Sequence, residues 1–127
     1  MGKIDGKHIL IIDDEQDLLD LLRPRLETAG YEISTALDGQ EGLNKAREEK
    51  PDLILLDVMM PKMDGYQVCR FLKFDEEYKH IPIVLLTARG QKQDKETGKK
   101  VGADGYLTKP FEKDVLLDKI GQLLKKG

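Results

Sequence analysis

Short apolar runs alternate along the chain with segments whose apolar residues recur every three or four positions. The run opened by His8 and ending at Ile12 is followed at once by acids, the pattern of a strand buried on both faces. Over residues 15–29, Leu19, Leu22, Leu26 and Ala29 mark one face of a helix closed by Gly30, with Pro24 expected to bend or strain it. Tyr31–Ala36 reads as a second strand, and Asp38-Gly39 opens a helix that stops at Glu49, ahead of Pro51. Asp52–Leu56 is the most apolar strand, followed by a helix over Gly65–Lys73 with Val68, Cys69 and Leu72 inward. Ile81–Leu86 and Gly105–Thr108 are the fourth and fifth strands, and Glu112–Lys125 is a final helix carrying Leu116, Ile120, Leu123 and Leu124 on one side. Five strand-then-helix units imply an α/β fold, a single doubly wound (βα)5 domain with a five-stranded parallel sheet covered on both faces.

Length agrees, since 127 residues suit one domain. No apolar run approaches the roughly 20 residues a membrane span needs. Met1–Gly6 has neither the apolar stretch of a secretory signal nor the Ser or Thr of a myristoylation site, so a cytoplasmic protein without membrane attachment is expected. Cys69, the single cysteine, can form no internal disulfide, and no Cys/His cluster is spaced for zinc. A net charge of −3 argues against nucleic-acid binding through bulk positive charge. The charge is uneven: residues 1–57 hold 14 acids and 7 bases, and residues 58–127 hold 10 acids and 14 bases. That division suits a site to which one half brings carboxylates and the other an amine, and equally suits a scatter of solvated charge.

Ligands of open parallel sheets bind beyond the carboxyl ends of the strands, so the residues there carry the information. They are Asp13 and Asp14 after the first strand, Asp57 after the third, Thr87 after the fourth, and Thr108, Lys109 and Pro110 after the fifth. Singly, each has a plain structural account. An acid after a strand can cap the next helix, Thr87 can do the same, and Lys109 can be a solvated surface lysine. Together, three carboxylates at one edge repel one another unless a cation intervenes, and all-oxygen ligation of this kind suits Mg²⁺. A lysine beside that cation is useful if an anion such as a phosphoryl group joins the site.

These residues fall into ordered blocks: Ile-Ile-Asp13-Asp14-Glu15, Leu-Leu-Asp57-Val-Met-Met-Pro61-Lys-Met-Asp64-Gly65, Leu-Leu-Thr87-Ala88, and Gly102-Ala-Asp-Gly-Tyr106-Leu-Thr-Lys109-Pro110-Phe111. In this the chain resembles the CheY-like receiver domain of two-component response regulators, over about residues 7–125. The resemblance implies the flavodoxin-like strand order 2-1-3-4-5. It also implies a phosphoacceptor signalling switch, not an enzyme, that assists only its own phosphorylation and dephosphorylation. Asp57 would accept a phosphoryl group from a phosphohistidine on a sensor histidine kinase or a histidine phosphotransfer protein. Mg²⁺ would rest on Asp14, Asp57 and the backbone carbonyl of Met59, with Asp13 helping through water, which explains why the side chain at position 59 can be apolar. Lys109 would add a second positive point.

In receivers the hydroxyl at the position of Thr87 moves to bond the phosphoryl group, and the aromatic at the position of Tyr106 turns inward. That alters the face made by the helix after the fourth strand, the fifth strand and the C-terminal helix. The alternative for Tyr106 is a half-buried strand aromatic with no switching role. The resemblance further implies a cis Lys109–Pro110 bond, room beside the acceptor at Ala88, and an influence of Met59 and Arg89 on loss of the phosphoryl group. Cys69 reads as a small core residue, and His8 and His80 lie at the wrong edge of the sheet to carry phosphate.

One stretch departs from the family. Arg89–Lys100 has no apolar side chain, and Lys99 stands where receivers place an aliphatic, so the helix expected there is short, mobile or poorly ordered before phosphorylation. The chain ends directly after the final helix, which gives an expectation of no output domain and of action through a downstream protein target or an effector domain absent here. Three rival readings remain at this point. A haloacid-dehalogenase-type phosphatase wants an acid where Met59 stands, and a nucleotide- or flavin-binding module lacks a glycine-rich loop after the first strand. A phosphorylation-independent interaction module would not need all five site residues.

Overall fold

The structure is a computed structural model that describes residues 6–88, 97 and 99–126. Strands β1 (His8–Ile12), β2 (Glu32–Ala36), β3 (Leu53–Asp57), β4 (Ile83–Ala88) and β5 (Gly105–Lys109) form one parallel sheet in the order β2-β1-β3-β4-β5. Helices α1 (Gln16–Thr28), α2 (Gly39–Glu49), α3 (Gly65–Lys73) and α4 (Lys113–Lys126) cover it. Alternate strand residues serve opposite faces. Leu10, Ile12, Ile54, Leu56, Ile83 and Leu85 pack with residues of α2 and α3, while Ile9, Ile11, Leu53, Leu55, Val84 and Leu86 pack with residues of α1 and α4. A strand apolar at every position is what a sheet buried on both sides requires.

Local signals fix where the helices begin. The Asp38 carboxylate accepts the Glu41 amide at 2.8 Å, and Asp64 and Gln67 form a reciprocal capping box with both bonds at 3.0 Å. Pro24 sits inside α1 without ending it, on the exposed side, where solvent can satisfy the carbonyl the ring leaves without its amide partner.

Two strands lie later than the apolar pattern suggests. β4 begins at Ile83, because Pro82 has no N–H to give the sheet and Ile81 bonds back to Tyr78 at 3.0 Å although it is fully buried. β3 likewise runs from Leu53 through Asp57. Hydrophobicity reports burial and not ladder pairing, so it misplaced these ends. Asp57 and Thr87 are therefore strand residues, not loop residues that follow strands, and β5 runs one residue past Thr108 to take in Lys109 as well. The expectations for the helix over 89–100, the Ala88 side chain and Arg89 lie essentially outside the described residues.

Candidate functional site

β1 delivers Asp13 to the carboxyl edge of the sheet, where its amide extends the ladder to Ala36 at 3.0 Å. The Asp13 side chain is completely buried, and each of its oxygens accepts a hydrogen bond. One oxygen accepts the Glu15 amide at 2.9 Å, and the other accepts the Lys109 ammonium at 2.8 Å. Neither aspartate after β1 caps α1; the N-cap is Glu15, which makes no side-chain cap bond. Asp57 ends β3, opposite Leu86 of β4, and is only 4% exposed. Its Oδ1 receives Lys109 Nζ at 3.3 Å, and the Met59 amide also bonds the carboxylate. Lys109 comes from the end of β5, beside Ala88 in register, and its bond to Pro110 is cis. Its third partner is Glu15, at 3.0 Å.

Asp13, Asp14 and the acceptor candidate Asp57 each offer a carboxylate oxygen, and these oxygens lie within 4.8 Å of one another. Asp14 is exposed, so the trio opens to solvent on one side. The electrostatics follow from the crowding. Burial first, and then the charge of Asp13, push the Asp57 carboxyl from its ordinary 3.8 to about 6, against the pull of Lys109 and the Met59 amide. Burial alone lowers the Lys109 ammonium, but hydrogen bonds to Asp13 and Glu15 and the charges of Asp13 and Asp57 outweigh it and carry the group above its usual value. One ammonium thus answers three carboxylates, and the pocket retains an excess of negative charge. Three clustered oxygen donors with surplus negative charge are the donor chemistry a hard dication such as Mg²⁺ takes.

The other sequence-derived residues surround this cluster. Thr87 is buried on β4, one position past the partner of Asp57, and pairs with Thr108. Tyr106 is half-buried, pairs with Leu85, and packs against the α2/α3 side of the core. Thr87 and Tyr106 therefore lie on one face of neighbouring strands, with Leu85 beside Tyr106 and Thr87 two positions on. Met59 is 62% exposed in the loop after β3, between buried Val58 and Met60. Cys69 is a buried core thiol. His8 sits at the opposite edge of the sheet, with Nε2 at 2.6 Å from Ser34 Oγ and 3.3 Å from Glu49.

Two residues gain a part here that their sequence positions did not assign. Glu15 is a partner of Lys109, a contact across 94 residues that no local pattern encodes. Gly65 is the other. Its amide bonds Val58 at 3.0 Å, and a Cβ at this position would collide with the Asp57 backbone carbonyl. The signal for Gly65 was available, because a glycine directly after the capping aspartate marks a close backbone approach.

A doubly wound parallel sheet of this kind binds its ligands beyond the carboxyl ends of its strands, where this chain gathers three oxygen donors and one ammonium. Residues 9–121 match the response regulator receiver domain family. The chain is 45% identical over 122 residues, 96% of its length, to the alkaline phosphatase synthesis transcriptional regulatory protein PhoP of Bacillus subtilis, half of whose length is covered. Among solved structures it is similar to a response regulator of Chloroflexus aurantiacus, with 35% identity, a TM-score of 0.91 and 95% and 99% of the two chains covered. It is also similar to the receiver domain of a sensor histidine kinase from Pseudomonas aeruginosa solved with magnesium in its active-site cleft, at 28% identity, a TM-score of 0.87 and coverage of 94% and 98%. The chain belongs to the response regulator receiver domain family, the phosphoacceptor switches of two-component systems. This family works with histidine kinases and uses Mg²⁺ in its acidic pocket, and membership sets aside the phosphatase and nucleotide-binding readings. The chain spans about half the length of the curated relatives it matches. Among the described residues, no helix is long and apolar enough to cross a membrane.

Proposed function

We propose that Asp57 is the phosphoryl acceptor of this domain, whose receiver core runs over about residues 7–125. The observation that supports this most directly is the Lys109 ammonium set between Asp57 and Asp13 at one mouth of the acid trio. A carboxyl titrating near pH 6 is mostly ionised at neutral pH, so Asp57 has a lone pair to give. One of its oxygens forms a bond to phosphorus as the phosphorus–nitrogen bond of a phosphohistidine breaks. The imidazole leaves with that electron pair and takes its proton from water, and Asp57 becomes an aspartyl phosphate. Asp14, Asp57 and the Met59 carbonyl would hold Mg²⁺, with Asp13 helping through water. When bound, the ion supplies positive charge against that gathering on the phosphoryl oxygens. Lys109 supplies the second positive point from the chain itself.

Thr87 and Tyr106 carry the switch in this reading. The Thr87 hydroxyl donates to a phosphoryl oxygen, and the change is passed to Tyr106 on the adjoining strand, biasing a two-state face by contacts present only after phosphorylation. The donor is a sensor histidine kinase or a histidine phosphotransfer protein, and the recipient of the signal is a protein surface or an effector domain, in the cytoplasm. The domain is a switch and not an enzyme acting on other substrates.

Incubation with acetyl phosphate and Mg²⁺ tests the assignment. One base-labile, acid-stable phosphoryl group should appear on Asp57, and none on the Asp57→Asn variant or in the presence of chelator. A phosphoryl group on any other residue, or an Asp57→Asn variant that still gains one, refutes it.

A further inference from the structure

Lys109 is held by three carboxylates, and the three are not alike. Asp13 at 2.8 Å and Asp57 at 3.3 Å belong to the acid trio, whereas Glu15 at 3.0 Å stands outside it, 62% exposed at the rim. The second oxygen of Asp13 is already taken by the Glu15 amide. A dication among Asp13, Asp14 and Asp57 repels the ammonium and competes with it for the same oxygens. Among the described residues, Glu15 is the one ion-pair partner of Lys109 that such a cation does not contest. Its side chain has no duty at the helix end, since it makes no cap bond there.

We propose that Glu15 is a positioning residue, retaining the Lys109 ammonium at the rim of the acid pocket while a divalent cation occupies the trio of Asp13, Asp14 and Asp57. It thereby keeps a positive point where the phosphoryl group arrives. The inference rests on the phosphoacceptor reading, and its test separates the two.

The probes are Mg²⁺ alone and then acetyl phosphate, on the full chain. In wild type, saturating Mg²⁺ should leave the Lys109 ammonium visible by side-chain NMR, protected from exchange by Glu15. In Glu15→Gln with Mg²⁺ that signal should be lost to exchange, and the initial phosphorylation rate should fall about three- to tenfold, the scale of one half-exposed charged contact. The direction of the rate change is decisive, because removing a negative charge beside the path of an anionic donor would by itself speed its approach. Glu15→Asp keeps the charge but withdraws the carboxylate, and should behave like the Gln variant. An ammonium signal unchanged in Glu15→Gln, or a rate unchanged or faster, overturns the proposal. Wild-type protein that gains no phosphoryl group on Asp57 fails the phosphoacceptor reading instead, and the Mg²⁺-only NMR arm still decides what Glu15 does.

Discussion

Replacing Asp57 by asparagine should stabilise the metal-free protein at neutral pH. The side chain is 4% exposed, and its carboxyl is raised from 3.8 to about 6 by burial and by Asp13. A shift of about two units at 1.36 kcal/mol each makes the ionised group cost the native state up to about 3 kcal/mol at pH 7. Asparagine keeps the shape and sheds the charge, so it should recover most of that, or roughly 5–10 °C in a domain of this size. Between about pH 4 and 6 the folded wild type binds a proton that the unfolded chain has given up, so its stability falls as pH rises through that window. The stability contributed by this group is complete below about pH 4 and lost above about pH 6. The advantage of the variant should therefore be large at pH 7 and nearly absent at pH 4. Urea unfolding in chelator at both pH values measures this. Excess Mg²⁺ should then narrow or reverse the gap by binding the native wild type, an effect of about 2.7 kcal/mol at a hundredfold excess over Kd. A variant no more stable than wild type at pH 7, or equally favoured at both pH values, would refute the electrostatic account.

Three further outcomes follow from the packing. Gly65→Ala should cost about 2–3 kcal/mol in urea melts, because its Cβ meets unyielding backbone at Asp57 and, at 2.9 Å, Val58 Cα. It should also slow phosphorylation by displacing the end of β3, and an Ala variant as stable as wild type would show that the loop yields. Lys73→Met should cost about 1–2 kcal/mol, since Lys73 Nζ ties α3 to the Ile81 carbonyl at 2.9 Å and to Asp104 at 2.8 Å. Among the described residues the Asp104 carboxylate would keep its 2.8 Å bond from the Ile83 amide, and a neutral result would make this link ornamental. Cys69 has no exposed surface and burial pushes its thiol up to about 12, so iodoacetamide at pH 8 should label it only as fast as the protein unfolds. Rapid labelling of native protein would place that thiol nearer the surface.

Much of the architecture is legible along the chain, and the reasons are local. The +3 and +4 spacing of Leu19, Leu22 and Leu26 is a helix face wherever it occurs, and α1 buries those three residues. Apolar runs that end in acids mark strands covered on both sides and place Asp13 and Asp57 at the carboxyl edge. The strand order came from family likeness and not from spacing, since nothing in a run of leucines says which run lies beside it. Boundaries slipped where burial and pairing part company, as at Ile81 and Pro82.

The chain by itself determined which elements form, which residues stand at their ends, and that those residues are three acids, an alcohol and an amine, because periodicity and composition are properties of neighbours in sequence. Only the tertiary structure decided that one ammonium answers Asp13, Glu15 and Asp57 together, that the Asp57 carboxyl is hard to ionise, and that Gly65 must be small. Each of those facts is a distance between segments brought together by the sheet, and electrostatics and steric fit depend on such distances.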